Sequence, residues 1–329
     1  MSDRPAWLDR RPERQHVIQA YRMFLGRPPE NEAAIAAHLA EAPTIRDLRQ
    51  RFMASAEFRA QFDPTGWRPL PLDLPPERIE ATASEADLAA LLARTGRAWT
   101  GMGETEPHWS VVSDDRFRPE RIAANRAAFA ATGEASCRML LGLLARHGAT
   151  PTELPRCLEF GCGVGRVTLP LARTFAQVTG CDISPAHLAL ARQAAAEAGL
   201  GNVDWWQAMP EAPLPGGPCD LWFSMLVLQH NPPPVSRHIL ARAFAGLAPG
   251  GLAVFQVVTH IRGYAFRVAD HLAAPETGAM EMHALPQAEV FALAAAAGLA
   301  VLEVRDDSHA STRQPGRYGS HCFVLRRPR

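Results

Sequence analysis

Apolar residues recur at helical spacing over residues 16–62. Val17, Tyr21, Phe24 and Leu25 share one face, and Gly26-Arg27-Pro28-Pro29 ends the run. Ile35 and Leu39 mark a second helix; Ile45, Leu48, Phe52 and Phe58 mark a third. The Pro-rich stretch Asp63–Pro76 reads as a linker. A module this small lies near the lower limit for independent folding. Residues 77–150 are again patterned as helix, except Trp99–Phe117, where glycines and aromatics follow no period. Ile122–His147 returns to helix, as one rod or two.

From Arg156 the period changes. Short apolar runs at Arg156–Phe160, Gln177–Cys181, Val203–Trp206, Asp220–Met225, Leu252–Val258, Leu299–Val304 and His321–Leu325 predict strands. Helical stretches near Arg166–Phe175, Pro185–Ala198, Val235–Leu247 and Pro286–Ala297 lie between them. This alternation predicts an α/β domain, a seven-stranded, mostly parallel sheet with helices on both faces, preceded by all-helical regions. No helix separates the last two strands, so they are expected to pair antiparallel at the sheet edge. The expected organisation is a helical adaptor over residues 1–66, a linker and helical cap with a lid segment over 67–150, and the α/β domain over 151–329.

Composition narrows the picture. The 329 residues are 47% apolar and 21% charged, enough for a full core without disulfides or metal. The 34 basic and 34 acidic residues cancel, which leaves no electrostatic footprint for nucleic acid or an anionic membrane. None of the 6 cysteines forms a C-x-x-C pair, and no His pair supplies zinc spacing. They read as reduced, mostly buried thiols of a cytoplasmic protein. Met1–Arg14 has no apolar leader segment, and Phe291–Val301 is too short to span a membrane.

The chemistry concentrates after the first strand, in Cys157-Leu-Glu-Phe-Gly-Cys-Gly-Val-Gly-Arg166. Gly161, Gly163 and Gly165 would let the backbone turn and approach a ligand closely. A dinucleotide site wants a glycine where Arg166 stands, so that pattern fails. Glu159 suits a ligand bearing an ammonium and a sulfonium rather than a pyrophosphate. Asp182 ends the second strand, where an acid can accept hydrogen bonds from ribose hydroxyls, and Pro185 fits the first turn of the next helix. The competing reading is a Gly-rich turn in an unliganded domain.

These elements resemble class I S-adenosylmethionine-dependent methyltransferases over about residues 150–329, which implies a Rossmann-like fold with S-adenosylmethionine as cofactor. The resemblance implies that Gly161, Cys162, Gly163, Gly165 and Arg166 wrap the methionine part and that Glu159 meets its amino group. It places Asp182 on the ribose, Ile183 against the adenine, Ala208 and Met209 near the adenine edge, and Ser224 and Met225 at the end of the fourth strand. The acid often found near Ala208 is missing. Asp182-Ile-Ser-Pro-Ala-His-Leu188, Leu226-Val-Leu-Gln-His-Asn-Pro-Pro-Pro234 and Glu281-Met-His-Ala-Leu-Pro-Gln287 look like a bacterial branch associated with surface-polysaccharide assembly. Ala20-Tyr-Arg-Met-Phe-Leu-Gly-Arg-Pro28 is similar to a small helical (DUF4214-like) module found on surface-glycan proteins. Glycan contact is one reading of it, and plain docking or homodimerisation through the N-terminal helices is the other.

Methyl transfer to a hydroxyl needs an aligned acceptor, exclusion of water and a proton acceptor. His230, His260, His283 and Glu281 are the catalytic candidates. His108 and Trp109 of the lid segment, with Asn231 and Tyr264, are the candidate acceptor contacts. An anionic acceptor would call on Arg262 or Arg267. No metal is expected, because the His/Glu spacing matches no metal motif. Asn231-Pro-Pro-Pro234 lacks the aromatic that nucleic-acid amino-methylating enzymes place there, and it lies far beyond Asp220, so nucleic acid is rejected. The expected activity is O-methylation of a sugar or glycan precursor. The alternatives are N- or O-methylation of a small metabolite or peptide, and a non-catalytic cofactor-binding scaffold of a glycan-assembly complex.

Overall fold

In the N-terminal unit, Arg14–Leu25 (α1), Glu32–Glu41 (α2) and Ile45–Ala54 (α3) bury the faces that the sequence pattern marks. Val17, Tyr21, Leu25, Ile35, Leu48 and Phe52 form their shared core, with Phe58 packed against it. Asn31 and Thr44 cap α2 and α3, each side chain accepting a backbone N–H of the first turn. The computed structural model describes residues 6–58, 78–210, 212–307 and 317–329. The Pro-rich linker lies outside the described residues. The backbone forms two units, Met1–Arg68 and Pro69–Arg329, and the cap segment belongs to the second.

The second unit is built on seven strands. Arg156–Phe160 (β2), Gln177–Asp182 (β3), Val203–Gln207 (β4), Cys219–Ser224 (β5), Leu247–Ile261 (β6), Ala300–Asp306 (β8) and Tyr318–Arg326 (β9) pair in the order β4-β3-β2-β5-β6-β9-β8. Two short strands, Arg78–Ile79 (β1) and Ala265–Phe266 (β7), pair separately. All neighbours in the large sheet are parallel except those of β9, which runs antiparallel between β6 and β8. The expected antiparallel pair is therefore present, with β8 alone at the edge. Strand alternation sends Leu158, Phe160, Trp222, Phe255 and Phe323 to one face and Cys157, Leu221, Phe223, Val254 and Val324 to the other.

Helices cover both faces. Glu85–Thr105 (α4), Pro233–Ala245 (α8) and Gln287–Ala296 (α9) pack on the first face. Ile122–Arg146 (α5) and Thr168–Ala172 (α6) pack on the second. Pro185–Glu197 (α7) begins with proline in its first turn, as the sequence predicts, and the Ser184 side chain caps it. All six cysteines are free, and only Cys219 is less than fully buried. Among the described residues no helix is long and apolar enough to cross a membrane.

One helix departs from expectation, and a second settles an alternative left open by the sequence. Trp99–Thr105 is not irregular but continues α4. Its glycines serve close approach: a Cβ at Gly103 would fall 2.1 Å from Ser184 Oγ. Ile122–Arg146 is a single helix, and at Gly133 it runs against the Gly-loop backbone, where a Cβ would sit 1.9 Å from the Arg166 carbonyl oxygen. Alanine is intrinsically the better helix former by about 1 kcal/mol. Gly133→Ala is nevertheless expected to destabilise by about 1–3 kcal/mol, because the contact is backbone and cannot rotate away. The denaturation midpoint reads the sign, and a stabilised variant would refute the packing argument.

Candidate active site

The strand order reverses between β2 and β5, so a crevice opens at the carboxyl ends of the parallel strands. β2 and β3 deliver the Gly loop and Asp182 there. Asp182 is buried: Gly163 N donates to its Oδ2 at 2.8 Å and Ser184 N donates to its Oδ1 at 2.9 Å. One carboxylate thus fixes both the loop and the helix cap. Each oxygen retains a lone pair for a ligand hydroxyl.

Glu159 is also buried, and Thr168 Oγ1 donates to its Oε2 at 2.6 Å. Burial pushes its carboxyl up to about 8, against the opposing pull of the Thr168 hydrogen bond and the Arg166 guanidinium. Arg166 Nη1 donates to Ser136 Oγ at 3.1 Å, but its Nε is buried without a partner. A cavity of about 940 Å³ brings these groups together. Of the expected cofactor residues it is lined by Glu159, Gly161, Cys162, Gly163, Arg166, Asp182, Ile183, Ala208, Met209 and Met225, and Asn231 joins them.

A titration follows from Glu159. An acid whose native pKa lies above its unfolded value of 4.5 releases a proton on unfolding between the two. Stability of the cofactor-free protein should therefore fall as pH rises through that window, by up to ~1.4 kcal/mol per unit, and level off above about 8. Burial pushes the His230 imidazole down to about 4 and the Cys157 thiol up, so neither contributes between pH 6.5 and 8, where Glu159 acts. Denaturation across that window reads the slope; a rise in stability would contradict it.

A second cavity, about 770 Å³, adjoins the first, and Thr95 and Trp99 line both. His230 and Glu281 line it, together with His271, Arg94 and Arg97, which sequence reasoning missed. Glu281 Oε2 accepts from His283 Nε2 at 2.9 Å and lies 3.7 Å from His271 Nε2. Tyr264 OH lies 2.8 Å from His283 Nδ1 and donates to it, since the other ring nitrogen carries the proton given to Glu281. The hydrogen bond from His283 holds Glu281 below the usual carboxylate range. Burial pulls His271 down, opposed by Glu281. Arg94 is buried and donates to the carbonyls of His271, Ala274 and Pro275, which seats the 271–281 segment on α4.

Several expected site residues are placed elsewhere. His260 does not follow its strand: β6 runs on to Ile261, His260 pairs with Gly319, and it lines none of the three described cavities. Gly165 and His108 line a separate cleft between α5 and α7, where His108 meets the Phe129 ring edge-on at 5.2 Å. Trp109 lies under the Arg118 guanidinium at 4.5 Å. The lid segment coils, with Ser110 N donating to Glu106 O and Val112 N to His108 O, so Ser110 and Val111 line the first cavity instead. Ser224 Oγ donates to Phe160 O and ties β5 to β2. Tyr264 and His283 stand behind Glu281 rather than in the cavity. Arg262 and Arg267 are exposed and line no described cavity. His187, missed as a site residue, lines the cofactor cavity with Nδ1 3.6 Å from Asp182 Oδ1. Its place three residues into the helix after Asp182 was the available signal. Among the described residues no cluster could hold a metal ion.

Residues 157–251 match the family model for a methyltransferase domain. The chain is 38% identical over 143 residues to trans-aconitate 2-methyltransferase of Streptomyces coelicolor, covering 41% of this chain and 45% of that protein. It is 33% identical over 174 residues to ubiquinone biosynthesis O-methyltransferase of Paramagnetospirillum magneticum, covering 52% of this chain and 61% of that protein. The chain thus spans roughly half the length of the curated relatives it matches. Among solved structures, magnesium protoporphyrin IX methyltransferase from Synechocystis with bound SAH aligns at a TM-score of 0.45 and 21% identity, covering 60% of this chain and 84% of that one. The C-terminal part of the chain carries a methyltransferase domain. Domains of this class take S-adenosylmethionine as cofactor. The site fits that group: the Glu159 carboxyl, which a neighbouring ammonium would draw back into its ionised form, and an orphaned guanidinium Nε at Arg166 complement a zwitterionic amino acid, with Asp182 beside them for a ribose.

Proposed function

We propose that the chain is an S-adenosylmethionine-dependent methyltransferase that methylates an oxygen of a small, uncharged hydroxyl acceptor held in the second cavity. The observation that carries this is the pair of adjoining cavities: one holds Glu159, Arg166 and Asp182, the other His271 and Glu281, with Trp99 between them. When bound, the cofactor supplies an electrophilic methyl group on a sulfonium. Glu159 and Arg166 hold its amino-acid end, Asp182 its ribose, and Ile183 flanks its base. Trp99 and the 107–111 turn exclude water. The His271–Glu281 pair takes the acceptor's proton, with His283 and Tyr264 steadying Glu281 from behind.

The acceptor class follows from charge. Arg94 is engaged by carbonyls, and Arg97 is paired with Glu276. Neither is left for a polycarboxylate such as the one in the name of the Streptomyces relative. A neutral polyol fits better, in keeping with the sugar or glycan acceptor expected from the sequence resemblance. Docking or self-association through the N-terminal helices belongs to the same proposal, and sedimentation of the chain with and without residues 1–66 tests it. Cofactor class is tested by calorimetric titration with S-adenosylmethionine, S-adenosylhomocysteine and NADH. Binding of the first two alone is expected, and binding of NADH would overturn the reading. An acceptor screen follows, setting neutral glycosides against di- and tricarboxylic acids. Turnover on the acids alone would overturn the acceptor class.

A further inference from the structure

Gln256 sits in the middle of β6 with no solvent exposure. A carboxamide there is costly unless every polar atom is bonded. Leu226 N donates to its Oε1 at 3.0 Å, and its Nε2 donates to Gln229 Oε1 at 2.9 Å and to Ser320 Oγ at 2.6 Å. Ser320 Oγ donates onward to Asp307 Oδ2 at 3.1 Å. Gln229 Nε2 lies 3.1 Å from His230 Nε2, and His230 Nδ1 lies 2.8 Å from the Glu281 carbonyl oxygen.

The direction of the chain is fixed at both ends. A backbone N–H only donates, so the Gln256 atom facing Leu226 is oxygen and the other is the amide nitrogen. That sets Gln229 oxygen toward Gln256 and Gln229 nitrogen toward His230. His230 Nε2 then carries the lone pair, and its proton sits on Nδ1, facing a carbonyl that only accepts.

The two termini lie in the two cavities. Leu226 lines the first, and it is the only non-glycine residue at positive φ among the described residues, at 61°. His230 lines the second. We propose that Gln256 is a positioning residue that holds Leu226 in its left-handed conformation on the cofactor side and, through Gln229, fixes the tautomer of His230 on the acceptor side. His230 thereby orients a ligand or the 281–283 segment rather than taking a proton, because its one lone pair is occupied. The inference takes the identity of the two cavities from the proposed function; the hydrogen-bond chain does not depend on it.

The test uses the full chain, nitrogen-15 NMR of the His230 ring, and calorimetry with S-adenosylhomocysteine. The Nδ1–H tautomer is expected in the unsubstituted protein at neutral pH. Gln229→Met should release that tautomer while leaving cofactor affinity within about twofold, since only the His230 arm is cut. Gln256→Leu should both release it and weaken cofactor binding by about tenfold, through loss of the Leu226 bond. Gln256→Glu restores an acceptor for Leu226 and should recover most of the affinity, which a merely space-filling role would not require. An Nε2–H tautomer in the unsubstituted protein, or an unchanged ring in Gln229→Met, overturns the proposal. Absence of S-adenosylhomocysteine binding with the Nδ1–H tautomer intact would instead sink the cofactor reading and leave the tautomer chain standing.

Discussion

Asp182→Ala is expected to lower affinity for S-adenosylhomocysteine by about 100-fold or more, with the protein still folded. Hydrogen bonds to a charged group contribute about 1.5–3 kcal/mol each, and a ribose offers two hydroxyls. The loss is compounded because the same carboxylate holds Gly163 N and Ser184 N, so the Gly loop would relax together with the ligand contact. Two buried N–H groups left without acceptors should also cost about 1–3 kcal/mol each in stability. Calorimetry gives the affinity, and chemical denaturation shows that enough structure remains to interpret it. Affinity within threefold of the parent in a folded variant would remove Asp182 from the cofactor site.

His271→Asn should cut turnover by about 10²–10⁴ with cofactor affinity unchanged, the range typical of losing a general base. Glu281→Gln gives the sharper test, because its sign is fixed. His271 must be neutral to accept a proton, so the rate falls on the acid side of its pKa. Burial lowers that pKa, and the Glu281 charge partly offsets the burial. Removing the charge should therefore move the acid limb of the kcat profile to still lower pH while the plateau drops. An acid limb that stays in place, or moves up, would show that the titrating group is not His271. Removal of His230 offers a contrast: burial pushes its pKa down to about 4, and its lone pair is engaged by Gln229. It is too weak and too occupied to serve as the base.

The sequence was informative where one residue's chemistry suffices. Short apolar runs marked every strand of the large sheet; the central ones are buried on both faces and need apolar residues whatever their neighbours are, whereas the edge strands β4 and β8 stay partly exposed. Leu252–Val258 was too short for β6, which begins at Leu247, because Pro249-Gly250-Gly251 reads as a turn but forms a bulge between Leu247 and Leu252, both paired with β5. Gly101 and Gly103 read as breakers in Trp99–Phe117. Only packing shows that Gly103 is there because Ser184 allows no side chain.

The same division holds at the site. Glu159, Gly161, Gly163 and Asp182 were legible because each sits at or just past the carboxyl end of one of two consecutive parallel strands, which a βαβ unit brings side by side. His271, Trp99 and Arg94 were not, since they come from separate elements that meet only when α4 and the 271–281 segment close over the sheet. His108 and Trp109 were chosen for their chemistry, but one helical turn presents Ser110 and Val111 to the cavity instead. Local sequence thus determined the strands, the Gly loop and the acids Glu159 and Asp182, whose placement follows from short-range backbone rules. The second cavity and the hydrogen-bond partners of His230, His271 and His283 were decided by tertiary structure, because each depends on which groups from distant parts of the chain come together.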